Sequence, residues 1–128
     1  MIDAALRERI VATARRMNAL GINQGSSGNV SARVEGGFLV TPSGVPYEEL
    51  EPADIVHVGR DGHATGHRGP SSEWRFHRDI YARRPEAGAV VHTHSAFATT
   101  LACLGRPIPA FHYEVAFAGG ADIRCAPY

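Results

Sequence analysis

Leu6, Ile10, Ala14 and Met17 recur at helical spacing, with Arg7, Glu8, Arg15 and Arg16 on the other faces, which predicts an amphipathic helix from Met1 to Leu20 stopped by Gly21. The period then changes to two. Val30, Ala32 and Val34 alternate with polar residues, Glu35-Gly36-Gly37 turns the chain, and Phe38-Leu39-Val40 runs back as the second arm of a hairpin. Val45 to Asp54, punctuated by prolines and carrying Glu48, Glu49 and Glu51, reads as a charged, solvent-facing connection. Ile55-Val56-His57-Val58 is a short strand, and Gly59-Arg60-Asp61-Gly62 turns it into a weak return strand through His63 and Ala64. After Gly69-Pro70, Ser71-Ser72 forms a helix N-cap region. The helix from Glu73 to Arg84 that follows sets Phe76, Ile80 and Tyr81 inward and Arg75, Asp79, Arg83 and Arg84 outward, and Pro85 ends it.

Ala89-Val90-Val91-His92-Thr93-His94-Ser95 reads as the central strand, and Ser95 caps a helix containing Phe97, Leu101 and Leu104 that Gly105 closes. A short helix begins with Phe111-His112-Tyr113-Glu114-Val115 and ends at Gly119-Gly120, and a further strand begins at Ile123-Arg124-Cys125-Ala126. The element order predicts one domain over residues 1–128: an α/β fold, layered α/β/α, with helices on both faces of a mixed, largely antiparallel sheet.

Composition narrows the function classes. The chain has 128 residues, 44% of them hydrophobic, enough to build one core. Thirteen basic residues balance thirteen acidic ones, so no global field draws in nucleic acid or an anionic membrane, and an anionic ligand must be held locally. The expected partner is a small molecule. Cys103 and Cys125 lack metal-type spacing and suggest a reducing, cytosolic setting, with both thiols as buried packing residues. A charged N-terminus and the absence of any membrane-length apolar stretch lead to the expectation of a cytoplasmic protein.

The candidate chemistry starts with His92 and His94. On a strand they share a face, with Cα atoms about 7 Å apart, close enough to converge on one metal ion if a third group arrives. Glu73 is the nearest candidate. The alternative is a pair of polar residues at a sheet edge. Asn23-Gln24-Gly25-Ser26-Ser27-Gly28-Asn29 can cradle an anion with its backbone N–H groups or be a plain surface turn. Thr41-Pro42-Ser43-Gly44 leaves the hairpin at the same end, so the two loops can meet. Glu73 and His77 stand at i and i+4; a helix-surface hydrogen-bonded pair is the ordinary reading, with His77 supporting the site at most. His57, His63 and His67 read as surface residues.

Taken in order, Ser27-Gly28-Asn29-Val30-Ser31, Thr41-Pro42-Ser43-Gly44, Pro70-Ser71-Ser72-Glu73, His92-Thr93-His94-Ser95 and Phe111-His112-Tyr113 before Gly119-Gly120 resemble the class II aldolase and adducin family. The resemblance implies that Gly28, Asn29, Ser43, Gly44, Ser71 and Ser72 bind a substrate phosphate. It implies that His92 and His94 hold Zn2+, with Glu73 as acid/base and a further metal contact. Tyr113 is similar to the tyrosine that family aldolases present to the aldehyde oxygen from a neighbouring subunit, which implies a homo-oligomer, a tetramer by resemblance. The expected reaction is cleavage of a ketose 1-phosphate or deoxy sugar phosphate, such as L-fuculose 1-phosphate, to dihydroxyacetone phosphate and an aldehyde.

These residues contain no lysine for a Schiff base, consistent with a metal-assisted route. Epimerases, dehydratases and decarboxylases of the same family, and a non-catalytic adducin-like interaction module, remain the alternatives. Family members supply a third histidine from an Asn-His-Gly-like segment with no match in these residues, so the chain is expected to be C-terminally incomplete relative to the family.

Overall fold

The computed structural model describes residues 3–118 and 120–127. Met1 and Ile2 of the expected first helix, and Gly119 of the expected glycine pair, lie outside them. The chain divides into two compact units, Met1–Thr93 and His94–Tyr128.

The first unit is built on a five-stranded sheet. Strand β1 (Asn29–Val34) and strand β2 (Gly37–Val40) form the predicted hairpin, with Ser31 opposite Val40 and Val34 opposite Gly37. Strand β3 (Val56–Gly59) pairs with β2, and the two-residue β4 (Ala64–Thr65), one position later than expected, pairs with β3. Strand β5 (Ala89–His92) lies on the other side of β1, so the order is β4-β3-β2-β1-β5. All of these pairings are antiparallel, not mixed. Among the described residues the histidine-bearing strand is an edge strand rather than the central one: β1 is its one sheet neighbour there, and Val91 is half exposed.

Alternation along the strands serves two cores. Val30, Ala32 and Leu39 face helix α1 (Ala4–Ala19), whose Ile10, Val11, Ala14 and Met17 are buried. Phe38, Val40, Val56 and Val58 face the opposite way, toward Tyr81 and Trp74 of helix α2 (Trp74–Arg83). Gly21 ends α1 at φ 70°, a left-handed conformation that suits glycine, and the Gly21 and Ile22 N–H groups return to the carbonyls of Asn18 and Met17.

Two expectations fail for packing reasons. The connection from Val45 to Asp54 faces solvent only through residues such as Glu48, Glu49 and Glu51, not along its length. Val45, Tyr47, Leu50 and Ile55 join the α1 core, and a 3-10 turn (Pro52–Asp54) buries Asp54. Arg7 is correspondingly buried on α1, donating to the Ile55 carbonyl, and Arg15 donates to the carbonyls of Tyr47 (3.0 Å) and Leu50 (2.9 Å). The inward face of α2 is set by His77 and Tyr81, while Phe76 and Ile80 are 48% and 39% exposed. Ser31 on β1 offers hydroxyl partners to the polar pair, and burying them there leaves the neighbouring apolar positions outside.

The second unit contains helix α3 (Ala96–Cys103), helix α4 (Glu114–Phe117), and a two-stranded ribbon of β6 (Ile108–Pro109) and β7 (Asp122–Ile123). The last strand is therefore shorter and earlier than the expected Ile123–Ala126. Cys103 is exposed and Cys125 half-buried, so neither is the buried packing residue expected. Among the described residues no helix is long and apolar enough to cross a membrane.

Candidate metal centre and active site

Antiparallel pairing brings three chain segments to one end of the sheet. The glycine loop enters β1 at Asn29, the Thr41 segment leaves β2, and His92 closes β5 directly opposite Asn29. A fourth segment is stitched on by backbone bonds, Ser71 N–H to the Thr41 carbonyl (3.0 Å) and Ser43 N–H to the Gly69 carbonyl (3.2 Å). The two loops expected to meet are thus joined through residues 69–71, which lead directly to Glu73, the N-cap residue of α2.

The glycine loop is held by groups that the sequence does not advertise. Buried Tyr47 donates its phenol to the carbonyls of Ser27 (3.1 Å) and Gly28 (2.7 Å), and burial pushes that phenol up to about 12. Asn23 donates to the Ser27 carbonyl and to Asn18 Oδ1. Gly28 sits at φ 69°, and a Cβ there would lie 2.5 Å from the His92 carbonyl oxygen and 2.6 Å from Asn23 Oδ1. Only glycine permits this approach of the loop to β5.

Asn29, 1% exposed, is the hub. Its Nδ2 donates to Glu73 Oε2 (2.8 Å) and Ser71 Oγ (2.9 Å), while its Oδ1 faces His77 Nε2 and His92 Nδ1 (3.3 Å). His92 Nδ1 also lies 3.1 Å from Glu73 Oε2. Both oxygens near that nitrogen are acceptors, so Nδ1 carries the hydrogen and Nε2 keeps the lone pair a metal needs. Glu73, His92 and His94 each offer one ligand atom, and these lie within 4.8 Å of one another. Two imidazoles and a carboxylate with an oriented imidazole fit a borderline divalent ion such as zinc, and three protein ligands leave room for a substrate oxygen.

The remaining predicted positions divide by exposure. Ser71 is buried, Gly28 half-buried, and Ser43, Gly44 and Ser72 are exposed around the same end of the sheet. Tyr113 belongs to the second unit. It is 69% exposed there and packs against His112 and Phe117, at ring-centroid distances of 4.3 and 6.2 Å.

His77 is not a helix-surface partner of Glu73. It is fully buried, with Nδ1 2.6 Å from Ser31 Oγ, which in turn lies 2.7 Å from the Tyr81 hydroxyl. Burial, reinforced by His92 and opposed by Glu73, pushes its pKa down to about 4, so it is neutral at pH 7. Among the described residues no buried side-chain nitrogen or oxygen lacks a partner. A polar residue at every second position of Asn29-Val30-Ser31 is the sequence signal that one face of β1 is lined for this network.

The fold and the site together define the class: this chain belongs to the class II aldolase and adducin family, residues 8–128 matching the Class II Aldolase and Adducin N-terminal domain. It is similar to the 5-methylthioribulose-1-phosphate/5-deoxyribulose-1-phosphate aldolase of Rhodospirillum rubrum, 57% identical over 124 residues that are 97% of this chain and 56% of that protein. It is also similar to the L-fuculose phosphate aldolase of Escherichia coli strain K12, 49% identical over 123 residues, 96% of this chain and 57% of that one. A solved L-fuculose 1-phosphate aldolase matches the fold with a TM-score of 0.86 at 33% identity, over 97% of this chain and 58% of its own. The chain therefore spans rather more than half the length of these relatives.

Proposed function

We propose that this chain carries the site of a zinc-dependent aldolase that cleaves a ketose 1-phosphate or deoxy sugar phosphate to dihydroxyacetone phosphate and an aldehyde. The single observation that supports this most is the clustering of Glu73, His92 and His94 at the sheet end where the glycine, Thr41 and Ser71 segments converge. The names of the relatives, aldolases of 5-deoxyribulose, 5-methylthioribulose and fuculose phosphates, narrow the substrate to that class.

His92 and His94, with Glu73, would hold the cation. When bound, it supplies Lewis-acid stabilisation of the negative charge that collects on the substrate's carbonyl and hydroxyl oxygens. The protein's own residues do the rest. Gly28, Asn29, Ser43, Gly44, Ser71 and Ser72 surround the phosphate, the exposed members by direct contact, while the Asn29 side chain is occupied with Glu73 and Ser71. The bond between C3 and C4 breaks, its electron pair stays with the three-carbon ketone phosphate, and the hydroxyl on C4 loses its proton as the aldehyde forms. Glu73, with Oε2 fixed by the Asn29 amide, moves the proton to the carbon left behind. Tyr113, exposed in an aromatic group with Phe117, serves the aldehyde oxygen from a neighbouring copy in a homo-oligomer, tetrameric by the family resemblance.

The test is a panel of 5-methylthioribulose, 5-deoxyribulose and L-fuculose 1-phosphates, with release of dihydroxyacetone phosphate followed before and after exhaustive chelation. Turnover that survives chelation would rule out the metal route. An isomerised sugar with no dihydroxyacetone phosphate would mark an epimerase instead, and no turnover with an intact fold an interaction module.

A further inference from the structure

Asn29 Oδ1 can only accept, so the His77 Nε2 that faces it must carry a hydrogen. Neutral His77 then presents a lone pair at Nδ1, which receives the Ser31 hydroxyl hydrogen, and Ser31 Oγ in turn receives that of Tyr81. Every link of this chain has one polarity. With His77 in this tautomer, turning the Asn29 amide over would set an NH2 group against the His77 N–H, and in either tautomer it would set a carbonyl oxygen against the Glu73 carboxylate in a buried site.

We propose that His77 is a positioning residue which, through the Asn29 amide, fixes the rotamer of Glu73 and the tautomer of His92. It is fully buried, and its hydrogen-bond partners are Ser31 and Asn29, so it acts through its neighbours rather than on substrate. With the amide locked, Nδ2 holds Glu73 Oε2, and Oδ1 receives the His92 Nδ1 hydrogen together with that same carboxylate oxygen. His92 Nε2 is thereby left as the lone-pair nitrogen. The inference rests on the reading of Glu73 and His92 as metal ligands.

Two amide substitutions separate the two ring nitrogens. In His77→Gln the side-chain NH2 can reach the Nε2 position and still donate to Asn29. In His77→Asn the amide reaches only the Nδ1 position, keeping Ser31 as partner and losing the donation to Asn29. The expected result is a 10- to 100-fold weaker zinc affinity and a lower kcat for His77→Asn, the range typical for loss of a group that orients metal ligands, with His77→Gln within about threefold of the parent. Thermal unfolding of both variants checks that each folds. A long-range proton–nitrogen spectrum of the parent at pH 7 should show His77 protonated at Nε2 alone. Equal zinc affinities for the two variants, or an Nδ1-protonated His77, would overturn the inference. If zinc binds and no sugar phosphate is cleaved, the substrate reading fails while the affinity ratio still decides this one. If zinc does not bind at all, the metal reading fails and the tautomer decides.

Discussion

Acidification should destabilise this protein through His77. The ring is fully buried and neutral, with its pKa pushed from the ordinary 6.5 down to about 4. Between those values the unfolded chain binds a proton at this site and the folded chain does not, so stability falls as pH falls. The full shift is worth about 3 kcal/mol at about 1.4 kcal/mol per unit, a large share of the roughly 5–15 kcal/mol that holds a domain together. Asp54 lies outside this window. Burial opposes its ionisation, but hydrogen bonds from Arg68, the Glu51 N–H and His67 outweigh that and hold its carboxyl below the ordinary value, so its contribution is lost only at still lower pH. Urea midpoints of the parent and His77→Gln should be compared at pH 7.5, 6.5, 5.5 and 4.5. The gap between the two proteins should shift by about 2–3 kcal/mol in favour of the variant across the series, most of the full amount, since pH 4.5 is still above the folded-state value. Parallel curves would refute the reasoning, since they would mean His77 takes up its proton equally in both states.

Three other outcomes follow from the same geometry. Gly28→Ala should cost about 2–4 kcal/mol in denaturant stability, because the new Cβ meets the His92 carbonyl and Asn23 at a positive φ. Gly44→Ala, with an equally positive φ but open space around it, should cost about 1 kcal/mol. Glu73→Gln should leave the fold intact and lower aldol cleavage by about 10²–10⁴-fold, measured as dihydroxyacetone phosphate release. Tyr47→Phe leaves the Gly28 carbonyl without its side-chain donor and the Ser27 carbonyl with Asn23 alone, and should cost about 1–3 kcal/mol, with weaker inorganic phosphate binding by calorimetry as the loop loosens.

The hairpin was legible because Val30, Ala32 and Val34 alternate around a glycine turn. The convergence of the loops followed from its register. The identity of the α2 inner face was not legible. Helical spacing allows both Phe76 with Ile80 and His77 with Tyr81, and hydropathy favours the first, whereas the hydroxyl of Ser31, on the sheet face that α2 covers and 46 residues away from His77, selects the second. Similarly, the acidic run near Glu48 hid the apolar set of Val45, Tyr47, Leu50 and Ile55, whose burial depends on α1 docking over it and on Arg7 and Arg15 satisfying its carbonyls. Asn29 was visible as a site residue by motif, but its place as the hub required the pairing of β1 with β5 that sets it opposite His92. Long-range polar partners of this kind leave no local pattern to read.

The most direct measurement is the release of dihydroxyacetone phosphate from the sugar phosphate panel by metal-free protein, to which zinc is then returned in known amounts. Release should be absent without metal, rise in proportion to zinc up to one ion per site, and disappear in the His92→Ala, His94→Ala double variant. Cleavage at full rate without metal, or unchanged cleavage by the double variant, would contradict the assignment of Glu73, His92 and His94 as the catalytic metal centre.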